Sequence, residues 1–265
     1  MERYIEVNGV TLCIDDTMVT DKKALLLYHG LTGSKEAMYE IRDIMQDRYR
    51  VICVDTRGHG KSTHPAEYTL EDHAKDVHEL IRVLELGKVD IIGHSMGSYV
   101  ALAAAEMCCE DIDHLVLYST KPSGKTSSVE RILKERGLDI RTLSEEQMIQ
   151  IIMTFTFAPD SLARIQKGEL LLPDPSQMPV LSPEEKAIES KSIAGFDNSL
   201  GYDKVTCKTL VISGEFDGIN SWQEGKEVAD GIKGAQFVLI KDAAHMSAME
   251  QPGQFFTAVD EFFNS

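Results

Sequence analysis

A serine, an aspartate and a histidine follow one another along this 265-residue chain in an order that can support nucleophilic catalysis. A serine hydroxyl is a weak nucleophile at neutral pH and needs a general base, which in turn needs an acid to orient it. We predict Ser95 as the nucleophile, His245 as the general base and Asp217 as the orienting acid.

The pentapeptide Gly93-His94-Ser95-Met96-Gly97 lies between a strand-like run ending at Ile92 and a helix-like run starting at Met96. On such a sharp turn the serine is strained, and the flanking residues must be glycine because a β-carbon would collide with the neighbouring strand or helix. The hydroxyl would project above the sheet at a helix N-terminus, where the helix dipole favours developing negative charge. The local pattern therefore predicts a nucleophilic serine on this turn.

Two other acids compete with Asp217 for the histidine. Asp217 follows a strand-like run ending at Ser213, and Glu215 lies in the same loop, whereas Asp242 lies just before His245. We prefer Asp217 because the loop after the preceding strand can reach the far imidazole nitrogen. Asp242 is expected to solvate its own turn.

The oxyanion of a tetrahedral intermediate needs hydrogen-bond donors. The segment His29-Gly30-Leu31-Thr32-Gly33-Ser34 follows a strand-like run ending at Tyr28, and its glycines allow the main chain to turn its amides towards the serine. We predict that the backbone N–H groups of Leu31 and Met96 form the oxyanion hole. The same segment also reads as a glycine turn followed by a helix N-cap at Ser34, and both interpretations can hold together.

Short apolar runs alternate with helix-length amphipathic runs, a pattern typical of a mainly parallel sheet covered by helices. The first two strand-like runs are joined by Asn8-Gly9, a dipeptide that favours a hairpin turn. Helices are predicted at 35–48, 69–86, 96–109 and 252–264. The predicted strands are 3–8, 11–19, 24–28, 51–54, 89–92, 114–118, 209–213 and 236–240.

Residues 121–200 interrupt this alternation with helical patterns and no convincing strand. Ser144 and Ser182 each begin a capping-box sequence, so two helices are expected to start there. The predicted fold is α/β, with an eight-stranded, mostly parallel sheet and helices on both faces. Core parts at 1–120 and 201–265 flank a helical cap or lid at 121–200.

The net charge of −16 makes association with nucleic acid or an anionic membrane unfavourable. Five cysteines, two of them adjacent, do not resemble a disulfide framework and suit a reducing cytoplasm. No apolar run approaches the length of a membrane span. We therefore expect a cytoplasmic protein that acts on a small molecule, with no nucleic-acid partner and no membrane insertion; the sequence leaves its oligomeric state open.

Over essentially its whole length the chain resembles the α/β-hydrolase superfamily, in particular bacterial carboxylesterases and monoacylglycerol lipases. In such proteins the turn at 55–62 is structural. A metal site built from Asp55, His59 and His64 is therefore not favoured, and we expect neither metal nor cofactor. The matching segments are His29-Gly30, Asp55-Thr56-Arg57-Gly58-His59-Gly60-Lys61-Ser62, Gly93-His94-Ser95-Met96-Gly97, Gly214-Glu215-Phe216-Asp217 and His245.

Departures from individual subfamilies narrow the chemistry that the resemblance implies. Ser95 stands where dehalogenases and epoxide hydrolases carry an aspartate. His94 and Met246 replace the asparagine and tryptophan usual in carbon-carbon bond hydrolases, and Thr32-Gly33 replaces the Pro-Leu of perhydrolases. Cleavage of small or medium carboxylic esters through an acyl-enzyme is the favoured function. Lactonase, thioesterase, amidase and carbon-carbon hydrolase activities, a slow-turnover receptor that retains the triad, and a lyase using Ser95 and His245 for proton transfer remain alternatives.

An apolar stripe at helical spacing, Met148, Ile151, Ile152 and Phe155, lies within the predicted cap. Further apolar residues follow it. We expect most of these side chains to form the interior of the cap and some to face the site, which favours substrates with an apolar acyl or alcohol group. The residues that follow are Phe157, Leu170, Leu171, Leu172 and Met178.

Overall fold

The computed structural model describes residues 1–172 and 179–265. An open eight-stranded sheet crosses it with the order β1-β2-β4-β3-β5-β6-β7-β8. β1 and β2 pair antiparallel, β2 joins β4 antiparallel, and every other neighbouring pair is parallel. The strands are β1 Glu2–Val7, β2 Val10–Asp16, β3 Ala24–Tyr28, β4 Arg50–Val54, β5 Val89–His94, β6 Ile112–Tyr118, β7 Lys208–Gly214 and β8 Gln236–Ile240.

Helices cover both faces of the sheet. One apolar core joins the sheet to residues of α2, α3 and α8, and a second core on the other face joins it to residues of α1 and α10. The helices are α1 Tyr39–Met45, α2 Leu70–Val83, α3 Met96–Met107, α4 Ser128–Glu135, α5 Glu145–Thr156, α6 Pro159–Gln166, α7 Pro183–Ser192, α8 Trp222–Gly231, α9 Ser247–Glu250 and α10 Pro252–Phe263.

The strands follow from local sequence. Every residue of β3 and of β5 is buried, as expected of central parallel strands covered on both faces. The opening hairpin turns at Asn8 and Gly9, with φ of 41° and 76°, the left-handed conformations that a two-residue hairpin loop requires. The predicted α/β class and its eight strands are confirmed, although the second strand ends at Asp16 rather than at residue 19.

Among the described residues between β6 and β7 there are four α-helices, α4 to α7. The capping boxes at Ser144 and Ser182 are present, each serine accepting a hydrogen bond from the backbone at the third helical residue. The sequence patterns did not predict α4, α6 or α8. In α8 the reason is visible, because Gly225 lowers helix propensity but leaves room for Ser213, whose Oγ would lie 2.1 Å from an added β-carbon.

No helix in residues 1–172 or 179–265 has both the length and the apolarity that crossing a bilayer would require.

Candidate active site

Ser95 occupies a strained turn between β5 and α3. Its backbone has φ 51° and ψ −116°, a conformation that residues with a β-carbon rarely adopt. A β-carbon on Gly93 would lie 2.4 Å from Gly97 O, and one on Gly97 would lie 2.3 Å from Tyr28 O. The backbone therefore packs too closely at this turn for any residue but glycine at positions 93 and 97.

Asp217 and His245 meet at the carboxyl edge of the sheet. His245 Nδ1 lies 2.9 Å and 3.0 Å from the two carboxylate oxygens of Asp217, and both side chains are buried. Asp217 Oδ1 also accepts hydrogen bonds of 2.9 Å from the backbone N–H groups of Ile219 and Asn220. This arrangement places the proton of the neutral imidazole on Nδ1 and leaves Nε2 able to accept one.

The two competing acids point elsewhere. Glu215 accepts a 2.9 Å hydrogen bond from Lys241 Nζ, and this contact holds the pKa of Glu215 below its usual range. Asp242 is exposed, with φ 56°, and its backbone N–H lies 3.4 Å from Glu215 Oε2. Of the three acids, the structure brings Asp217 to His245.

Leu31 and Met96 line the same cavity as Ser95. Met96 is the first residue of α3, so its N–H group has no acceptor within the helix. Leu31 lies in a tight turn in which Gly33 N–H donates to Gly30 O at 3.1 Å and Thr32 has φ 59°. The turn lies against the serine, since a β-carbon on Gly30 would be 3.4 Å from Ser95 Cβ.

A cavity of about 410 Å³ opens beside Ser95. Its apolar wall comes from the start of α4, the segment that follows α7 and the loop after Asp217 rather than from the stripe predicted on α5. Phe155 of that stripe packs instead against Gly218 and under the Arg136 guanidinium. Met178 lies outside the described residues. Apolar side chains that line the cavity include Leu31, Met96, Val129, Ile193, Phe196 and Ile219.

Residues 23–252 match the family model described as the alpha/beta hydrolase fold. The chain belongs to this family. A proline iminopeptidase of Pestalotiopsis fici is 26% identical over 276 residues, covering 95% of each chain.

Two solved structures are similar over nearly the whole hydrolase. The enol-lactonase from Burkholderia xenovorans LB400 has a TM-score of 0.82 and 26% identity, covering 99% of this chain and 100% of the other. A thermophilic esterase from Thermogutta terrifontis, described with malate bound, has a TM-score of 0.80 and 26% identity, covering 100% and 98%. The resemblance drawn from the sequence motifs is thus confirmed at the level of the family.

In this hydrolase, the end of α5 holds the two loops that carry Asp217 and His245. Phe155 O accepts a 3.0 Å hydrogen bond from Gly218 N–H, and Thr156 O accepts one of 3.0 Å from His245 N–H. Because both loops are hydrogen-bonded to the same helix end, a movement of α5 would displace Asp217 and His245 together.

The buried carboxylate of Glu250 adds a second link at this place. It accepts hydrogen bonds from Ala244 N–H at 2.8 Å and from Ala158 N–H at 2.7 Å. Glu250 therefore ties the residue before His245 to the residue that precedes α6.

Two further buried residues connect the acid loop to α3. Asn220 Nδ2 donates 2.6 Å hydrogen bonds to Tyr99 Oη and to Ser119 O. Tyr99 lies one helical turn after Ser95 and lines the cavity. The sequence offered only a faint signal for either residue: Asn220 stands three residues after Asp217, and Tyr99 stands four after Ser95.

The turn after β4 is stabilised by an ammonium group and by backbone amides. Asp55 accepts hydrogen bonds from Lys35 N at 2.6 Å, Lys35 Nζ at 3.1 Å and Lys61 N at 3.0 Å. His59 contacts Glu189 of α7, and His64 contacts Glu185 of the same helix. These three residues thus have separate protein partners.

One of those contacts buries two titratable groups between the turn and α7. His59 Nε2 lies 3.1 Å from Glu189 Oε1, and neither side chain is exposed. Burial raises the pKa of Glu189 to about 8 and lowers the pKa of His59 to about 2. Near neutral pH the pair is therefore a carboxylic acid facing a neutral imidazole.

This burial predicts a loss of stability at alkaline pH. The folded pKa of Glu189 lies above its ordinary value of 4.5. The contribution of Glu189 to the free energy of unfolding is therefore fully present below pH 4.5 and is lost as pH rises through about 8. Glu189→Gln should therefore lose less free energy of unfolding between about pH 5 and about pH 9 than the parent, by about 1.4 kcal/mol for each unit of pKa shift. Urea unfolding at the two pH values measures this.

Glu184→Gln on the same helix is the matched control, because the carboxylate of Glu184 is exposed and its removal takes the same charge from α7. It should not reduce the alkaline loss. Parallel stability curves for Glu189→Gln and the parent would contradict a raised pKa at Glu189.

Proposed function

We propose that this hydrolase cleaves small or medium carboxylic esters through an acyl-enzyme on Ser95. The Ser95 hydroxyl attacks the carbonyl carbon while His245 Nε2 takes its proton, and Asp217 holds the imidazole. The backbone N–H groups of Leu31 and Met96 stabilise the oxyanion. His245 then returns the proton to the departing alcohol.

Water completes the cycle. His245 removes a proton from a water molecule that attacks the acyl carbon, and the proton then passes to Ser95 Oγ as the carboxylic acid leaves. One ester and one water thus yield one acid and one alcohol, with the enzyme restored.

The observation that carries this proposal is the contact of His245 Nδ1 with Asp217, 2.9 Å and 3.0 Å from its two oxygens, at the sheet edge where Ser95 occupies its strained turn. A base held by an acid beside a strained serine is the arrangement that acyl transfer needs. The cavity of about 410 Å³ at Ser95 supplies room for a small acyl or alcohol group.

Lactone hydrolysis is the second candidate. A lactone is an ester whose leaving alcohol stays attached to the acyl group, so the same residues would act in the same order. Similarity to the enol-lactonase from Burkholderia xenovorans LB400, with a TM-score of 0.82 over 99% of this chain, favours including cyclic esters.

Residues 121–200 are proposed to form a cap over this site. In support, Gly218 and His245 donate backbone hydrogen bonds to the end of α5, and α4 contributes Val129 to the cavity wall.

The five cysteines are free thiols, which fits the expectation of a reducing cytoplasm.

An ester panel tests the proposal. We expect multiple turnovers of p-nitrophenyl esters of graded length and of lactones, and much slower cleavage of matched thioesters and amides. A fluorophosphonate probe should label Ser95 stoichiometrically, with one probe molecule per protein chain. Mass spectrometry of a quenched reaction should find an acyl group on Ser95.

Each alternative has its own signature in these measurements. A receptor that retains the three residues would stall after one turnover. A lyase that uses Ser95 and His245 for proton transfer alone would form no acyl adduct. Either result would overturn the ester hydrolase assignment.

A further inference from the structure

The cavity beside Ser95 contains a buried lysine that the proposed hydrolysis does not use. Lys121 stands three residues after the end of β6 and is 7% exposed. It lines the same cavity as Ser95 and Met96. Its Nζ lies 6.0 Å from the centre of the Tyr99 ring, and Tyr99 is one helical turn from Ser95. The amino group of Lys121 therefore belongs to the cavity that Ser95 lines.

The ammonium of Lys121 is incompletely paired. Nζ donates to Thr126 O at 3.4 Å and to Ser128 Oγ at 3.2 Å, both long bonds to neutral acceptors. An ammonium group offers three donors, and across 1–172 and 179–265 no carboxylate forms an ion pair with it. Burying a charge without a partner is unfavourable, and this burial lowers the pKa of Lys121. An anion bound in the cavity would supply the missing partner.

The charged groups that act on Lys121 are engaged with other partners. Glu224 is the acid whose field acts on Lys121, but its carboxylate accepts 2.7 Å and 2.8 Å hydrogen bonds from Ser221 N and Oγ at the start of α8. Arg131 of α4 forms an ion pair with Glu135 at 3.3 Å, and its guanidinium donates to Gly218 O and to Ile219 O. In a chain of net charge −16, Lys121 is thus a buried, cavity-lining ammonium whose hydrogen-bond acceptors are neutral.

The charged side chains in the outer part of the cavity are either ion-paired or exposed to solvent. Lys125 forms an ion pair with Asp197, and Glu130 is exposed at the rim. The start of α4, from Ser127 to Glu130, lines the wall, and the first N–H groups of a helix favour an anion. Helix start and ammonium therefore act on the same space.

We propose that Lys121, assisted by the start of α4, binds a carboxylate of the substrate. The inference rests on the proposed function, and it specifies the substrate class: the ester attacked by Ser95 belongs to a carboxylate-bearing molecule, such as the monoester of a dicarboxylic acid or a lactone with a carboxylate side chain. A single buried ammonium matches a single carboxylate.

Monomethyl adipate and dimethyl adipate form the test pair, since one carries a carboxylate and the other a neutral ester at the same place. Methanol release gives kcat/KM for each ester, and their ratio is the readout. The parent should prefer monomethyl adipate. Lys121→Gln should lower that ratio about 10- to 100-fold, mainly through a higher KM for monomethyl adipate, because a hydrogen bond to a charged group is lost. Lys134→Gln, at the exposed far end of α4, removes the same charge and should keep the ratio of the parent.

A binding measurement makes the inference independent of turnover. Calorimetry with adipate should detect binding to Ser95→Ala and a matching loss of affinity in Ser95→Ala/Lys121→Gln. If Lys121→Gln does not fold, Lys121→Met, which fills a similar volume without charge, carries the test.

The outcomes separate the two proposals. If both esters are hydrolysed and Lys121→Gln keeps the ratio of the parent, the carboxylate site is wrong while ester hydrolysis stands. If neither ester is hydrolysed but adipate binds in a Lys121-dependent way, the carboxylate site stands while ester hydrolysis fails.

Discussion

Ser95→Ala is expected to lower kcat for the best ester by on the order of 10⁶-fold. The loss is large because the nucleophile is removed, and the base and the oxyanion donors cannot replace covalent catalysis. Binding of the substrate should persist, since the cavity walls are unchanged. Steady-state rates of purified protein, compared with the uncatalysed rate, measure the effect.

Ser95→Gly separates the chemistry of this serine from its backbone strain. Both variants lack the hydroxyl and should be equally inactive. Glycine adopts φ of 51° without penalty, so we expect Ser95→Gly to be more stable than Ser95→Ala by about 1 kcal/mol or more. Urea unfolding measures the difference. Retention of activity in either variant would contradict a nucleophilic role.

Asp217→Asn is expected to lower kcat by on the order of 10⁴-fold. The asparagine amide would fill the same space but can donate to His245 Nδ1, which favours the tautomer with its proton on Nε2. That imidazole cannot accept the serine proton. The backbone contacts of Asp217 with Ile219 and Asn220 would be retained through the amide oxygen, so the fold should persist.

Glu215→Gln is the matched control for Asp217→Asn. Glu215 lies in the same loop, but its carboxylate binds the exposed Lys241, and exposed ion pairs contribute little stability, about 0 to 1 kcal/mol. Its kcat should stay within a few-fold of the parent. An equal loss in both variants would show that loop structure, rather than the acid beside His245, controls activity.

The strands and the serine turn were predictable because the physics that determines them is local. Short apolar runs identify buried strands, and the close approach of β5 to α3 requires Gly93. Gly97 is required by the close approach of α3 to Tyr28 of β3, and its place in the pentapeptide is still visible in the sequence. The hairpin at Asn8-Gly9 depends equally on two neighbouring residues. Helix α8 was not predicted, because Gly225 has a low helix propensity. That glycine is required by the close contact of α8 with Ser213, which the local sequence does not show.

The site itself divides in the same way. Chain order brings Asp217, Glu215, Asp242 and His245 to one edge of the sheet, because the loops after parallel strands open there. Which acid meets the imidazole depends on side-chain direction. Only the packed loop, with Asp217 held by two backbone amides, decides it.

Lys121 shows why the rest required a tertiary structure. In the sequence it is a lysine after a strand, the residue type most often found in solvent. Its burial results from packing against Tyr99 of α3 and against Thr126 and Ser128 near the start of α4. The two helices are distant in the sequence. The sequence by itself determined the fold, the serine turn and the order of the loops that carry Asp217 and His245, because these depend on neighbouring residues and strand order. Only the tertiary structure decided the acid, the wall of the cavity and its buried charge, because these depend on contacts between distant segments.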